Sequence, residues 1–307
     1  MTDNATHFYS YLATGNIICR SSSLTGTEVI EELAKLLARN NAGLSAANIV
    51  NEVLAREAMF PTVIAPGLAV PHARLAELDK PLVAMATSTQ GIDFGVPEMG
   101  PAKVVVMLLT PGDDPGLHLQ LLSALAKDFG AGDEIETVAA LPTPEAVTSH
   151  FSGSGFTIPE FLRVRDVMTR RVTTMLEQDT LQRAIELFAT TGEFEIPVID
   201  DDGDLRGVIS LLDLLRFSMP EHVLWLEDLT PMYRFQPFSE VLKGANDTKV
   251  ADVMRTEFVS VDESVPAVQL AKLFLVNNIK QLIVVDSAGK LAGIVNLKKF
   301  ASRLFWE

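Results

Sequence analysis

Three side chains in the first half of the sequence are of types that do chemistry together: Arg56, His72 and His118, spaced by 16 and then 46 residues. An imidazole titrates near neutrality and can serve as a nucleophile or proton carrier. A guanidinium offers a rigid fork of donors to an oxyanion. His72 closes the stretch "VIAPGLAVPHAR", which reads as a buried strand ending in a stiff Pro71-His72 pair. His118 falls in the first turn of a helix after "PGDDPG", with Asp114 as N-cap and Pro115 at the first helical position. It shares a face with Leu121, Leu122 and Leu125, so its ring points inward. Arg56 lies near the C-terminal end of another helix. Each residue also has a structural reading: a packed strand-end histidine, a satisfied core histidine, and an arginine that complements a helix dipole. Residue type alone leaves both readings open.

A second set lies later, in "GVISLLDLL": Val208, Ser210 and Asp213. It sits inside an internal repeat. "RDVMTRRV" at Arg165–Val172 returns as "ADVMRTEF" at Ala251–Phe258, an offset of 86 residues. At that offset, without gaps, Leu187-Phe188 meets Leu273-Phe274, Val198 meets Val284, Asp200 meets Asp286, Gly203 meets Gly289 and Gly207 meets Gly293. Each copy reads as β-α-β-β-α. In the first copy a small strand spans Val172–Met175, a helix carries Leu181, Ala184, Ile185 and Phe188 on one face, and strands "EIPVID" and "LRGVIS" flank the turn "DDGD". A helix follows from Leu211. The acidic run Asp200–Asp204 stands between two strands and reads as a turn, not a calcium loop.

The elements that must position the first set alternate in the same way. Helices are expected over Thr27–Arg39 and Ser45–Met59, and strands over Val63–Val70, Leu82–Thr87 and Val104–Leu109. The expected boundaries are a first domain at 7–150, a linker at 151–162 in "HFSGSGFTIPE", repeat units at 163–217 and 250–307, and an insert at 218–249. The insert's "EHVLWLEDL", with Trp225, reads as a helix that packs on something.

Composition bounds the partners. The chain has 307 residues, 48% hydrophobic and 21% charged, which is globular and long enough for two domains. A formal charge of −15 argues against nucleic acid or an anionic membrane surface as the main partner. A single cysteine, Cys19, excludes a disulfide framework or thiolate metal cluster. The opening "MTDNATHFYS" lacks the regions of a signal peptide, and the densest apolar run, Val104–Leu109, is too short to cross a bilayer. A cytoplasmic location without membrane insertion is expected, and no metal site is read.

"REAMFPTVIAPGLAVPHAR" and "LLTPGDDPGLHLQLLSALA" resemble the fructose/mannitol-type IIA domain (EIIA type 2) of the bacterial sugar phosphotransferase system, over about residues 7 to 150. The resemblance implies that His72 carries a phosphoryl group, with His118 beside it and Arg56 upstream, and Pro61-Thr62 fits the same pattern. It implies a phosphocarrier protein as donor, a downstream IIB-like or regulatory protein as acceptor, and no cofactor for the transfer. Those roles suit the residues. Neutral imidazole is a good nucleophile, Arg56 can meet phosphoryl oxygens, and helix-start amides before His118 can bind an anion.

From about Val164 onward the repeat resembles a tandem pair of cystathionine-β-synthase (CBS) domains, on "VRDVMT", "EIPVIDDDGDLRGVIS" and their counterparts. The resemblance implies an adenine-nucleotide ligand (AMP, ADP, ATP or a related adenosine compound) at Gly207-Val208-Ile209-Ser210-Leu211-Leu212-Asp213. There Ser210 would contact phosphate and Asp213 the ribose hydroxyls. The second copy departs, with Asn296 for the hydroxyl and Lys299 for the carboxylate, which puts that site in doubt. A homodimer through the CBS pair is also implied. The expected fold is α/β, an N-terminal mixed sheet flanked by helices followed by tandem β-α-β-β-α units. The expected function is a nucleotide-regulated phosphohistidine carrier, a phosphotransferase. The alternative is a non-catalytic regulator whose phosphorylation or nucleotide state controls protein binding.

Overall fold

Thr25 starts the first long helix by accepting from the Glu28 amide while the Glu28 carboxylate accepts from the Thr25 amide. This capping box satisfies two N–H groups that the helix itself cannot. The computed structural model describes residues 6–59, 61–130, 132–219, 225 and 236–305. They fold as two compact units, the first of residues up to Leu162 together with those from Ala301 on, the second Arg163–Phe300. In chain order the first unit contains β1 (Thr6–His7), β2 (Ile17–Ile18), α1 (Gly26–Asn40), α2 (Ala46–Met59), β3 (Val63–Ala65), β4 (Leu68–Ala69) and β5 (His72–Leu75). It continues with β6 (Leu82–Ile92), β7 (Ala102–Pro111), α3 (Pro115–Phe129), α4 (Glu134–Ala140), α5 (Pro144–Ser154) and β8 (Thr157–Ile158).

The expected mixed sheet is present. β6 and β7 run antiparallel, β2 joins β6 in parallel, and β4 and β5 join β7 in parallel one after the other. β3 closes antiparallel on β4. Helices cover both faces of β7. Val104, Val106 and Leu108 pack with Leu121, Leu125, Val138 and Phe151, while Val105, Met107 and Leu109 pack with Val29, Leu33, Ile49 and Val53. A strand buried on both sides reads as a continuous apolar run, which is why Val104–Leu109 has no polar alternation. Each such side chain contributes about 1.5–3 kcal/mol by leaving water.

Two expectations in this unit need correction. The segment 63–72 is not one strand ending at His72. A turn at Gly67, with φ +84°, separates β3 from β4, and a Cβ there would meet Ile135 at 3.1 Å. Pro71, which has no N–H to give a ladder, separates β4 from β5. His72 therefore begins a strand. The second correction concerns the linker expected at 151–162. Phe151 and Phe156 are buried in the core, Phe156 stacks on Phe8 while Phe151 meets it edge to face, and β8 pairs with β1. Gly and Ser here end a helix and turn the chain; the aromatic residues among them bind the segment to the core.

The second unit repeats its own topology. The first copy holds α6 (Val164–Val167), β9 (Met175–Leu176), α7 (Leu181–Thr191), β10 (Glu195–Ile199), β11 (Leu205–Ser210) and α8 (Leu211–Ser218). After α9 (Gln236–Gly244) the second copy holds β12 (Ser260–Asp262), α10 (Val268–Asn277), β13 (Gln281–Val285), β14 (Leu291–Asn296) and α11 (Leu297–Phe305). Each three-stranded sheet has one parallel and one antiparallel pair, and Val198↔Met175 recurs as Val284↔Val261 at the same 86-residue offset. The small strand expected at Val172–Met175 is β9, later and shorter than expected. The helix expected in "EHVLWLEDL" lies outside the described residues, apart from Trp225, which is exposed.

Asp200 works as a turn residue. Its Oδ1 accepts from the amides of Asp202 and Asp204, and Asp286 repeats the arrangement with Ala288 and Lys290.

Candidate functional site

The break at Pro71 has a consequence for His72. The Val70 carbonyl lies 2.7 Å from His72 Nδ1. A carbonyl only accepts, so Nδ1 carries the proton and donates. The lone pair is then on Nε2, which is buried and has no hydrogen-bond partner among the described residues.

His118 comes to the same place from the other side of the fold. Asp114 caps α3 by accepting from the Leu117 amide, and Pro115 opens the helix. That puts His118 in the first turn with no exposure, and its Nδ1 is 2.8 Å from the Thr110 hydroxyl. Its Nε2 also lacks a partner among the described residues. The His72 and His118 rings meet edge to face, with centres 5.1 Å apart and planes at 61°.

Strand alternation sets the remaining geometry. Ala73 and Leu75 point into the core under α1 and α2, so His72 and Arg74 emerge on the opposite face. Arg74 is paired with Thr110 on β7, the residue that holds His118. Arg56 stands one turn from the end of α2. That end is fixed because Glu57 accepts from both the amide and the hydroxyl of Thr62. Thr62 is itself buried beside β3.

Burial pushes His72 down to about 4, against the Val70 bond that would raise it; the charges of Arg56 and Arg74 add to the fall. Burial pushes His118 down to about 2, with the charges of His72, Arg74 and Arg56 in support. Both rings are neutral at pH 7. Two neutral imidazoles with buried Nε2 atoms, under the charge of two arginines, suit a nucleophile and a donor acting on one anionic group.

The structure thus brings His72 and His118 together and lets Arg56 act on both. Two contributors escaped sequence reasoning. Arg74 carries a readable signal, since the two-residue period of a strand puts it on His72's face. Thr110 carries none, as it closes an apolar run that gives no hint of a partner.

The second candidate site lies in the repeat unit. Val208 is fully buried in β11, and Ser210 caps α8. Asp213 Oδ2 accepts from the Ser210 amide at 2.9 Å and its hydroxyl at 2.6 Å. Arg255, from the second copy, donates Nε to both Asp213 oxygens at 2.9 and 3.0 Å and Nη2 to Glu195 at 2.6 Å. The carboxylate expected to hold a ribose is already engaged, by a residue the motif does not include. Burial raises Glu195 above the usual carboxylate range, although Arg255 opposes the shift.

Residues 10–153 match the family model "Phosphoenolpyruvate-dependent sugar phosphotransferase system, EIIA 2", and residues 164–220 and 250–305 match the CBS-domain model. The fructose-specific EIIA component of the phosphotransferase system from Haloferax volcanii is 35% identical over 98 residues, covering 32% of this chain and 64% of that protein. The match therefore spans somewhat less than two thirds of that relative. A nitrogen regulatory protein from Pseudomonas aeruginosa is 30% identical over 119 residues, covering 39% of this chain and 77% of that protein. Among solved structures, the nitrogen regulatory protein IIA-Ntr from Neisseria meningitidis is 27% identical, covers 46% of this chain and 96% of that one, and gives a TM-score of 0.43. Among the described residues no helix is long and apolar enough to cross a membrane.

Proposed function

We propose, from the premise that this chain belongs to the phosphotransferase-system EIIA 2 family over residues 10–153 and to the CBS-domain family over its two later segments, that it carries a phosphoryl group on Nε2 of His72. The observation that supports this most is the bond from His72 Nδ1 to the Val70 carbonyl, which leaves the lone pair on Nε2, in a ring whose centre is 5.1 Å from that of His118. A phosphocarrier protein is the donor. Its P–N bond breaks as Nε2 forms a new one, and the Nδ1 proton stays where it is. Arg56 meets the phosphoryl charge, and amides at the start of α3 add to it. In this reading the buried Thr110 hydroxyl, 2.8 Å from His118 Nδ1, acts as the donor, and the proton on His118 Nε2 meets the phosphoryl oxygens. Because His72 is only 3% exposed, transfer requires the surrounding side chains to move. A IIB-like or regulatory protein takes the group onward, and the work is done in the cytoplasm.

The CBS pair senses an adenosine-type ligand at Val208, Ser210 and Asp213 and biases the transfer. Exposed Leu212 and Leu215 on α8 and Leu275 and Val276 on α10 support a homodimer through this unit. Sedimentation of wild type and Leu275→Ser tests the dimer, which fails if the wild type is monomeric.

Incubation of the full chain with phosphoenolpyruvate, enzyme I and phosphocarrier protein tests the main reading. It requires an acid-labile phosphate that His72→Ala lacks. A second reading is a regulator that binds partners according to its phosphorylation state without passing the group on. The burial of Nε2 and the likeness to a nitrogen regulatory protein favour it. Loss of label to an added IIB domain separates the two.

A further inference from the structure

His72, Thr110 and His118 are buried, while Arg56 and Arg74 are half-buried and so mark the way in from solvent. Successive odd residues of a strand project to one face, which puts Arg74 roughly 7 Å along β5 from His72. Arg74 Nη1 donates to the Leu304 carbonyl at 3.0 Å, across 230 residues of sequence. Leu304 lies in the last turn of α11. Residues from Ala301 on belong to the first unit, although α11 starts in the second. The charge of Arg74 reaches both rings, since it helps to push His72 and His118 down.

The last four carbonyls of a helix have no partner inside it and form the negative end of its dipole. A guanidinium answers both needs. The equivalent helix of the first copy closes in another way. At the 86-residue offset Leu304 corresponds to Ser218, whose hydroxyl donates back to the Leu214 carbonyl, and the Met219 amide returns to the Arg216 carbonyl. So α8 ends on its own atoms, whereas α11 ends on Arg74. That contact joins a charged donor to a neutral acceptor. A phosphoryl group would give the same guanidinium a charged, bidentate partner, which is the stronger of the two.

We propose that the last turn of α11 is an autoinhibitory strap at the entrance to His72, and that it gives up Arg74 when a phosphoryl group arrives. This rests on the reading of His72 as the phosphoryl carrier and adds the device that holds it closed. With the strap on, the Leu304 carbonyl engages Arg74, and Nε2 of His72 stays buried behind it. With the strap off, Arg74 turns to the phosphoryl oxygens and the donor protein has a way in. The two states compete for one guanidinium. Whatever tightens the strap therefore disfavours the phosphorylated state, and phosphorylation loosens the strap by the same factor. Because α11 is one helix from Leu297 to Phe305, with Phe300 buried at its middle, the repeat unit has a covalent handle on the strap.

Hydrogen–deuterium exchange of the full chain, read by mass spectrometry on the peptide that holds residues 301–305, tests this beside uptake of label from phosphorylated carrier protein. In wild type, phosphorylation should speed exchange in that peptide about tenfold, the loss of one hydrogen bond to a charged group. Arg74→Met, which keeps the bulk and removes the donors, should show the fast exchange before any phosphate is added. Arg74→Lys keeps a charged donor and should restore part of the protection. Leu304→Gly loosens the last turn, leaves the site residues as they are, and should take up label several-fold faster than wild type. Wild type that takes label with exchange at 301–305 unchanged overturns the strap and leaves the carrier reading standing. Exchange in Arg74→Met as slow as in wild type, or equal uptake by Leu304→Gly and wild type, does the same. The wild-type exchange decides the matter where a variant does not fold. No label on wild type overturns both.

Discussion

The rings of His72 and His118 lie edge to face with centres 5.1 Å apart, and the Nε2 atom of each is buried without a partner among the described residues. A phosphoryl group on one ring is then within reach of the other. His72→Ala should therefore take up no phosphate from a phosphorylated carrier protein. His118→Ala should still take it up, but more slowly by about 10²–10³, the cost of removing one donor from a developing oxyanion. Rapid-quench measurement of radiolabel transfer checks both. Equal loss in the two variants would mean that they share the nucleophilic role.

The pH behaviour follows from the direction of the two shifts. His72 is held down to about 4 and His118 to about 2, both below the ordinary value near 6.5, chiefly by burial. The nucleophilic form of His72 is thus complete above about pH 5, and its intrinsic transfer rate should be level from there to pH 8. Stability changes in the same window. Below 6.5 the unfolded chain binds protons that the folded site refuses, so unfolding free energy falls with pH by about 1.4 kcal/mol per unit for each histidine. The loss from His72 ends near pH 4, while that from His118 continues below. The ring resonances of His72 and His118, followed by NMR from pH 7 to 5, should stay those of neutral rings. A midpoint near 6.5 for either ring would contradict the site.

What the sequence could disclose depended on how far a residue's meaning lies in its near neighbours. The repeat at 86 residues was plain, because every strand, turn and glycine recurs in register. The inward face of His118 was plain from the leucines along α3. The break at Pro71 was half legible. Proline signals an interrupted ladder, but a two-residue β4 and a new strand at His72 depend on pairing with β7, some thirty residues away. Phe151 and Phe156 were hidden by the glycines and serines around them, since composition does not say what a phenylalanine packs against. Arg255 was the least legible. It meets Asp213 across 42 residues and across the repeat, so the motif that marks Asp213 does not contain its partner.

Thr110 offers a test of orientation apart from charge. Its hydroxyl is the partner of His118 Nδ1, and both groups are fully buried. Thr110→Val keeps the shape and removes the bond. It should cost about 1–3 kcal/mol, the penalty of leaving a buried polar atom unpaired. It should also slow phosphorylation of His72, because His118 loses the bond that fixes its tautomer. Thr110→Ser keeps the hydroxyl and should recover the rate even where it does not recover the full stability. Thermal melting and label transfer measured on the same samples separate packing from orientation. A serine variant as slow as the valine one would assign Thr110 to packing alone.

Gly207 and Gly293 test the crossed pairing of the repeats. A Cβ on Gly207 would lie 2.5 Å from the Arg255 carbonyl, and one on Gly293 would lie 2.8 Å from the Thr169 carbonyl. Both obstacles are backbone, held by reciprocal hydrogen bonds, so neither can swing aside as a long side chain would. Gly207→Ala should destabilise the repeat unit by about 1–3 kcal/mol, as overpacking does, with Gly293→Ala somewhat milder. Gly153 is the control, because nothing lies within 4 Å of the place its Cβ would occupy, inside α5. Gly153→Ala should be neutral or stabilising by up to about 1 kcal/mol, since alanine loses less entropy in a helix. Melting followed by limited proteolysis locates the effect. Gly207→Ala should expose cleavage sites within Arg163–Phe300 while phosphorylation of His72 stays normal. If it melts like the Gly153→Ala protein, the two copies are not locked through this contact, and the position of Arg255 beside Asp213 needs another support.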